Sequence, residues 1–365
     1  MLDKALLNKI KESLGNSFGD ENFDHYRFRN KLNEKLKFSL KLRRLVWRML
    51  SDFSPSIAAS LYVHKIKSFL PGLQNLYQVL DSESQNLLVN ILAYRLVGYK
   101  KVMINGQAKD FLKLMSESEL DVISDEKIDI GFGNIILENL SLKKLGYDLI
   151  LFATKFTVII DFKIEQYALN LTKNTKSISA KTGETVLDVG ACWGDTSLYF
   201  SHKVGVTGQV YAFEFIPSNL EILKKNLSLN PSFSKNIKIQ NSPVGENSED
   251  KLFYLDQGPA SRLFSNPISG QTGEAKLISL DDFVKNNEIE KVDFIKMDIE
   301  GSELRALKGA KNTIMKFKPR LAIAIYHSLN DFVEIPEYLK SLGLGYEFHL
   351  GHFTIHSEET ILFAE

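Results

Sequence analysis

One cysteine, Cys192, in 365 residues excludes an intramolecular disulfide framework and a cysteine-built zinc site. Nothing in the composition therefore calls for an oxidising compartment. An excess of one charge is missing too. The 45 Lys+Arg balance 45 Asp+Glu, which argues against a nucleic-acid partner, since general nucleic-acid binding needs a positive field. No run of 18 uncharged apolar residues occurs, and the richest stretch, 149–160, is short and interrupted by Lys155, so no transmembrane segment is expected. Met1-Leu2-Asp3-Lys4 and the residues after it lack the apolar core and small-residue cleavage site of a secretory signal. The expectation is a soluble, cytoplasmic protein of two or three domains, long enough to bury a large core without covalent staples.

What is present divides into three parts: a helical domain over 1–125, a β-rich connecting segment and linker over 126–182, and an alternating domain over 183–365. In the first, Leu2, Leu6, Leu7, Ile10 and Leu14 recur at helical spacing before Gly15. Leu87, Leu88, Ile91, Leu92 and Leu96 form a second stripe, with Ser82 and Gln85 as a capping box and Gly98 as a stop. Between Arg27 and Arg48 stand nine basic residues and one acid, Glu34, with Leu32, Leu36 and Leu40 four apart. This basic amphipathic pattern over 27–48 suits peripheral contact with an anionic membrane or a phosphorylated, lipid-linked substrate; the plainer alternative is a solvated helix face. In the connecting segment, 147–152 and 156–162 read as two strands of a hairpin, and the polar stretch 172–182 reads as a linker.

After Gly183 short apolar strands at 184–189, 209–213, 237–240, 292–297 and 321–326 alternate with helices. Ser218 and Glu221 form a capping box ahead of Leu220, Leu223 and Leu227, and a helix from Glu303 through Leu307 and Ile314 ends before Pro319. The runs 346–350 and 360–364 leave no room for a helix between them, so an antiparallel pair closes a mostly parallel sheet. The fold class is a doubly wound α/β domain, whose ligands bind outside the carboxyl ends of the strands.

The first of those ends reads Asp188-Val189-Gly190-Ala191-Cys192-Trp193-Gly194-Asp195-Thr196. Gly190 permits a tight turn and Gly194 a close backbone approach. The spacing is not Gly-x-Gly-x-x-Gly, which disfavours a nicotinamide dinucleotide. Asp188 and Asp195 would repel a diphosphate but not the ammonium and sulfonium of S-adenosylmethionine. Glu214 ends the second strand, 24 residues after Gly190, where a carboxylate accepts ribose hydroxyls. Asn241 and Ser242 follow the third strand as candidates for the adenine. Cys192 has no dedicated base beside it and is a poor nucleophile candidate. Asp298 and Glu300, alternate residues after the fourth strand, are candidates to bind a cofactor ammonium or take a proton from a substrate hydroxyl. Glu303 reads as a helix N-terminal acid. His327 follows the fifth strand with Asp331 four residues on, and His352 ends the sixth, so both are candidate bases. Asp298, Glu300, Asp331 and His327 also form a candidate Mg²⁺ set.

These blocks resemble the FkbM-type methyltransferases. Leu187 to Ser197, Ala212-Phe-Glu-Phe-Ile-Pro217 with Asn219, Lys296-Met-Asp-Ile-Glu-Gly-Ser-Glu303, Ile325-Tyr-His327 and Gly351-His-Phe353 carry the resemblance over 183–365. It extends more weakly to Gly146-Tyr147-Asp148 and Glu165-Gln166-Tyr167. It implies a class I S-adenosylmethionine-dependent fold and O-methylation of a hydroxyl on a sugar, glycan or secondary metabolite. By position, Gly190, Gly194 and Thr196 would hold the methionine part and Glu214 the ribose; Ala191 stands where many relatives have glycine. For the proton of the acceptor hydroxyl, His327 is the first candidate base, His352 the second and Glu300 the alternative. A catalytically silent interaction protein and a nicotinamide-dependent oxidoreductase are the rival readings. The first would need damage to the loop or to Glu214, and none is seen.

Overall fold

A computed structural model describes residues 1–28, 54–104, 106–107, 110–171, 176–248 and 250–365. The basic pattern over 27–48 lies outside the described residues except for Arg27 and Phe28. The N-terminal stripes fold into helices α1 (Leu2–Ser13), α2 (Pro55–His64), α3 (Leu70–Val79), α4 (Ser82–Val97) and α5 (Phe111–Glu117). The cap of α4 is Asp81, one residue before the expected Ser82. Its Oδ1 accepts the N–H groups of Glu83 and Ser84 at 2.8 and 2.9 Å. Gln85 turns away and donates to the carbonyls of Tyr77 and Leu80. Gly98 closes the helix as expected, at φ 84°. Among the described residues no helix is long and apolar enough to cross a membrane.

Strands β1 (Asp121–Asp129), β2 (Ile136–Ser141) and β3 (Ile150–Ala153) then form an antiparallel sheet. The expected second strand at 156–162 is helical instead: α6 (Lys155–Val158) runs into a π-helical turn, Ile159–Ile164. Thr154 caps it by accepting the N–H of Thr157 at 3.1 Å. A helix buried on most sides has no alternation, so its apolar run mimics a strand. The expected linker at 172–182 holds the second strand of a hairpin, β4 (Leu169–Leu171) with β5 (Lys176–Ile178).

The alternating half contains β6 (Thr185–Val189), α7 (Asp195–Val204), β7 (Gln209–Phe213), α8 (Pro217–Leu229), α9 (Pro231–Ser234) and β8 (Ile237–Gln240). An excursion follows, β9 (Lys251–Leu255), β10 (Arg262–Phe264) and β11 (Gly273–Lys276), then α10 (Leu280–Asn286) and β12 (Phe294–Met297). The chain ends through α11 (Glu303–Lys308), α12 (Lys311–Phe317), β13 (Arg320–Ala324), α13 (Asp331–Ser341), β14 (Phe348–His352) and β15 (Thr360–Ala364). The seven-stranded sheet has the order β14-β15-β13-β12-β6-β7-β8, and β15 is antiparallel to both neighbours. Order reverses at β6, which makes its carboxyl end the switch point. The α8 cap differs from expectation: Pro217 opens the helix, and Ser218 donates to the Asp256 carboxylate at 2.8 Å.

Both faces of the sheet are covered, which is why its strands are nearly continuous in apolar residues. Leu187, Ile295 and Ile323 pack with Leu6, Leu88 and Leu92 of the N-terminal helices, so those helices share a core with the sheet. Val186, Phe294 and Ala322 face α7, α8 and β3 through Leu198, Leu223 and Leu151. One fully buried amide ties β3 to the loop after β6. Asn226 accepts the Phe152 N–H at 2.7 Å and donates to the carbonyls of Phe152 and Trp193 at 3.1 and 2.9 Å. Asn226→Ala strands these three backbone groups and should lower the unfolding free energy by about 3 kcal/mol. Urea denaturation checks this, and a loss under about 1 kcal/mol would show that they find other partners.

Candidate active site at the switch point

Asp188 and Lys296 are register partners on the adjacent central strands β6 and β12. Both are buried, and their charged atoms lie 3.1 Å apart. Thr196 and Ser197 donate to the second Asp188 oxygen at 2.8 and 2.6 Å. Burial pulls the lysine toward deprotonation, but Asp188 and Asp298 outweigh it and raise its pKa. Lys296 also donates to the Gly190 carbonyl at 2.6 Å. Asp188 and Thr196, expected against the cofactor, therefore hold the loop from beneath. The expected repulsion of a diphosphate by Asp188 lapses, because the lysine neutralises it.

Gly190 has φ 90°, and a Cβ there would lie 2.0 Å from the Asp298 carbonyl. Its N–H and that of Ala191 both donate to the Phe213 carbonyl, at 3.1 and 3.0 Å. Gly194 serves packing: a Cβ would press on Leu223 of α8 at 3.1 Å. Asp195 opens α7 and accepts the Thr196 N–H at 3.0 Å. Burial pushes its carboxyl up to about 6. The same effect, followed by Asp195 itself, raises Asp161 of the π-helical turn well above the carboxylate range.

A cleft opens over this turn. It brings together Gly190, Glu214, Asp298 and Glu300 from the expected set. Glu214 accepts the N–H groups of Phe215 and Ile216, both at 2.7 Å, through one oxygen and the Asn219 amide at 3.2 Å through the other. Burial pushes it up to about 7. Asn241 is exposed and stands outside the wall, whereas Ser242 lines it with Pro243 and Val244. Cys192 lines it too, but burial raises its thiol well above the usual range and leaves it unreactive. Gly258, Pro259, Ser261 and Leu263, from the β9–β10 turn and β10, supply a wall that sequence reasoning missed. The Gly258-Pro259 dipeptide was the available signal, since it marks a turn.

His327 sits at the centre of an acidic group. Its Nε2 is 3.4 Å from Asp298 and 3.8 Å from Glu300, and its Nδ1 is 3.4 Å from Glu303. Burial alone would lower its pKa, but Glu303, Asp298 and Glu300 together push it up to about 10. At neutral pH it is an imidazolium, unable to accept the proton expected of it. Glu300, at φ 56°, is pushed up to about 7 by burial, with Asp298 adding to this and His327 opposing it. Asp298 accepts the hydroxyls of Tyr167 and Tyr326 on one oxygen, at 3.0 and 3.2 Å.

Other expected members are elsewhere. Asp331 accepts the Ser328 N–H at 2.6 Å, so it does not orient His327. His352 is fully buried with its Nδ1 2.9 Å from the Thr360 hydroxyl, and burial depresses it to about 3. It does not line the cleft. The four-residue magnesium set does not assemble. Asp298, Glu303 and His327 place donor atoms within 4.8 Å of one another, but the imidazolium already supplies the cation there. Glu303 is further engaged by the Ile299 and Gly301 N–H groups at 2.8 and 3.4 Å.

Residues 188–348 match the Methyltransferase FkbM domain family. That stretch, a little under half of the chain, is similar to an FkbM methyltransferase domain. The chain is 28% identical over 182 residues to the hexuronic acid methyltransferase AglP of Haloferax volcanii, covering 45% of this chain and 66% of that protein. The match thus spans just under two thirds of that relative's length. The fold is similar to the FkbM methyltransferase structure from Methylobacillus flagellatus KT, with a TM-score of 0.51 and 20% identity over 90% of this chain and 72% of that one. The sheet is the mostly parallel, Rossmann-like sheet of class I methyltransferases with an antiparallel last strand, as expected.

The His327 shift has a signed consequence. The native state holds this proton up to about pH 10, whereas an unfolded histidine releases it near about 6.5. The stabilisation is complete below about pH 6.5 and fades as pH rises toward 10. Thermal unfolding midpoints of wild type should therefore fall relative to His327→Gln between about pH 7 and 10. Parallel profiles for the two proteins would contradict the imidazolium assignment.

Proposed function

We propose that this chain is an FkbM-type methyltransferase that uses S-adenosylmethionine to methylate a hydroxyl oxygen on a sugar, glycan or secondary metabolite. The observation that carries the reading is a single cleft in which Glu214, the Gly190 turn and the Asp298–Glu300 pair face one another. The residues fit the cofactor's chemistry. Glu214 is a carboxylate acceptor for the ribose hydroxyls, Val244, Leu263 and Ile299 offer apolar walls for the base, and Asp298 offers anionic charge to the cationic end. The relative named for hexuronic acid supports a carbohydrate acceptor.

When bound, the cofactor supplies a methyl group already activated on a sulfonium. The protein is left with positioning and one proton. The Tyr167 and Tyr326 hydroxyls orient Asp298 by donating to it. Glu300 takes the proton of the acceptor hydroxyl, because it lines the cleft and titrates at about 7, near the working range of a general base. The His327 imidazolium holds Asp298, Glu300 and Glu303 at fixed spacing and offsets their mutual repulsion. Proximity and alignment of the hydroxyl supply the larger share of the acceleration.

Calorimetry with S-adenosylhomocysteine should show binding to wild type and a loss of about ten-fold or more in affinity for Glu214→Gln, as expected for losing charge-assisted hydrogen bonds. No binding to wild type, or tight binding of NAD instead, would overturn the cofactor assignment. With uronic-acid glycans as acceptors, Glu300→Gln should lower kcat by about 10²-fold or more while leaving S-adenosylhomocysteine affinity within a few-fold. Unchanged turnover would place the base elsewhere.

A further inference from the structure

A second cluster lies at the sheet edge. Glu347 and Glu365 exchange both backbone hydrogen bonds, at 3.0 and 3.2 Å, as a directly opposed antiparallel pair flanking β14 and β15. Directly opposed residues share a face, and His349, two positions beyond Glu347, shares it too. Donor atoms of Glu347, His349 and Glu365 lie within 4.8 Å of one another.

The histidine is prepared to serve as a ligand. His349 is 9% exposed, and its Nδ1 lies 2.6 Å from the Asp81 carboxylate. A neutral ring that donates from Nδ1 to this carboxylate would present its Nε2 lone pair. Nε2 is buried and has no hydrogen-bond partner. A carboxylate on one ring nitrogen and an open lone pair on the other is how proteins orient a histidine toward a metal. Asp81 also caps α4, so an ion here would fasten the N-terminal helices to the edge strand.

We propose that Glu347, His349 and Glu365 form a Zn²⁺ site, with water completing the coordination on the side of exposed Glu347. One imidazole and two carboxylates suit Zn²⁺, whereas Mg²⁺ and Ca²⁺ favour all-oxygen sets. The site is separate from the cleft and does not depend on the cofactor assignment. The test is calorimetric titration of ZnCl₂ into the full chain after chelator treatment, with the thermal midpoint read alongside. Wild type should bind one equivalent and gain in midpoint. Glu347→Gln, at an exposed position that leaves the fold intact by circular dichroism, should weaken binding at least ten-fold, and His349→Gln should do the same. His327→Gln should leave it unchanged. The proposal is overturned if wild type binds no Zn²⁺, if Glu347→Gln binds as wild type does, or if His327→Gln abolishes binding.

Discussion

The buried pair of Asp188 and Lys296 is the constraint on which the rest of the site depends. Taking two charges out of water is costly, and the pair persists because each partner is also held by neighbouring polar groups. Thr196 and Ser197 donate to the carboxylate, and the ammonium donates to the Gly190 carbonyl and lies 5.2 Å over the Tyr167 ring. One ion pair thereby joins the two central strands, the glycine turn, the start of α7 and the upstream hairpin region. Breaking such a pair by removing one partner typically costs about 3–5 kcal/mol, because the other charge is left buried alone. The cleft above is in this sense a consequence of charge neutralised below it.

Above that floor the electrostatics are deliberately unbalanced. Asp298, Glu300 and Glu303 surround one imidazole, and Glu359, also buried, is pushed up to about 8 by desolvation and then by Asp298. An excess of acid in a sheltered place favours a positively charged guest, and it keeps His327 protonated. Glu300 is the member that exchanges a proton near neutrality, because burial raises it while the imidazolium holds it back. One neighbourhood thus sets a tyrosine-held carboxyl group at Asp298 beside an adjustable proton at Glu300.

Much of the architecture was legible because its causes are local. Strands β7, β8 and β15 fall where short β-branched or aromatic runs stand between turn residues, and Gly98 ends α4 where a positive φ is required. Caps were read less well. Asp81 and Ser82 are both good capping residues, and only the hydrogen bonds to Glu83 and Ser84 separate them. The 156–162 segment failed for a different reason: burial erases the periodicity that distinguishes helix from strand, and the cap at Thr154 decides.

The amino-acid sequence by itself determined the fold class, the switch-point location of the cleft and the types of group delivered there, because strand order and strand-end residues follow from pattern and chain direction. Tertiary structure alone decided which groups meet. Asp188 turned from ligand to foundation when Lys296 came into register with it, and His327 turned from base to cation when three carboxylates converged on it. His352 was withdrawn into the core, and the Gly258-Pro259 turn was brought to the cleft from a distant excursion. The physical reason is common to all four: charge state and accessibility depend on neighbours far apart in sequence, through distance and desolvation that no local pattern records.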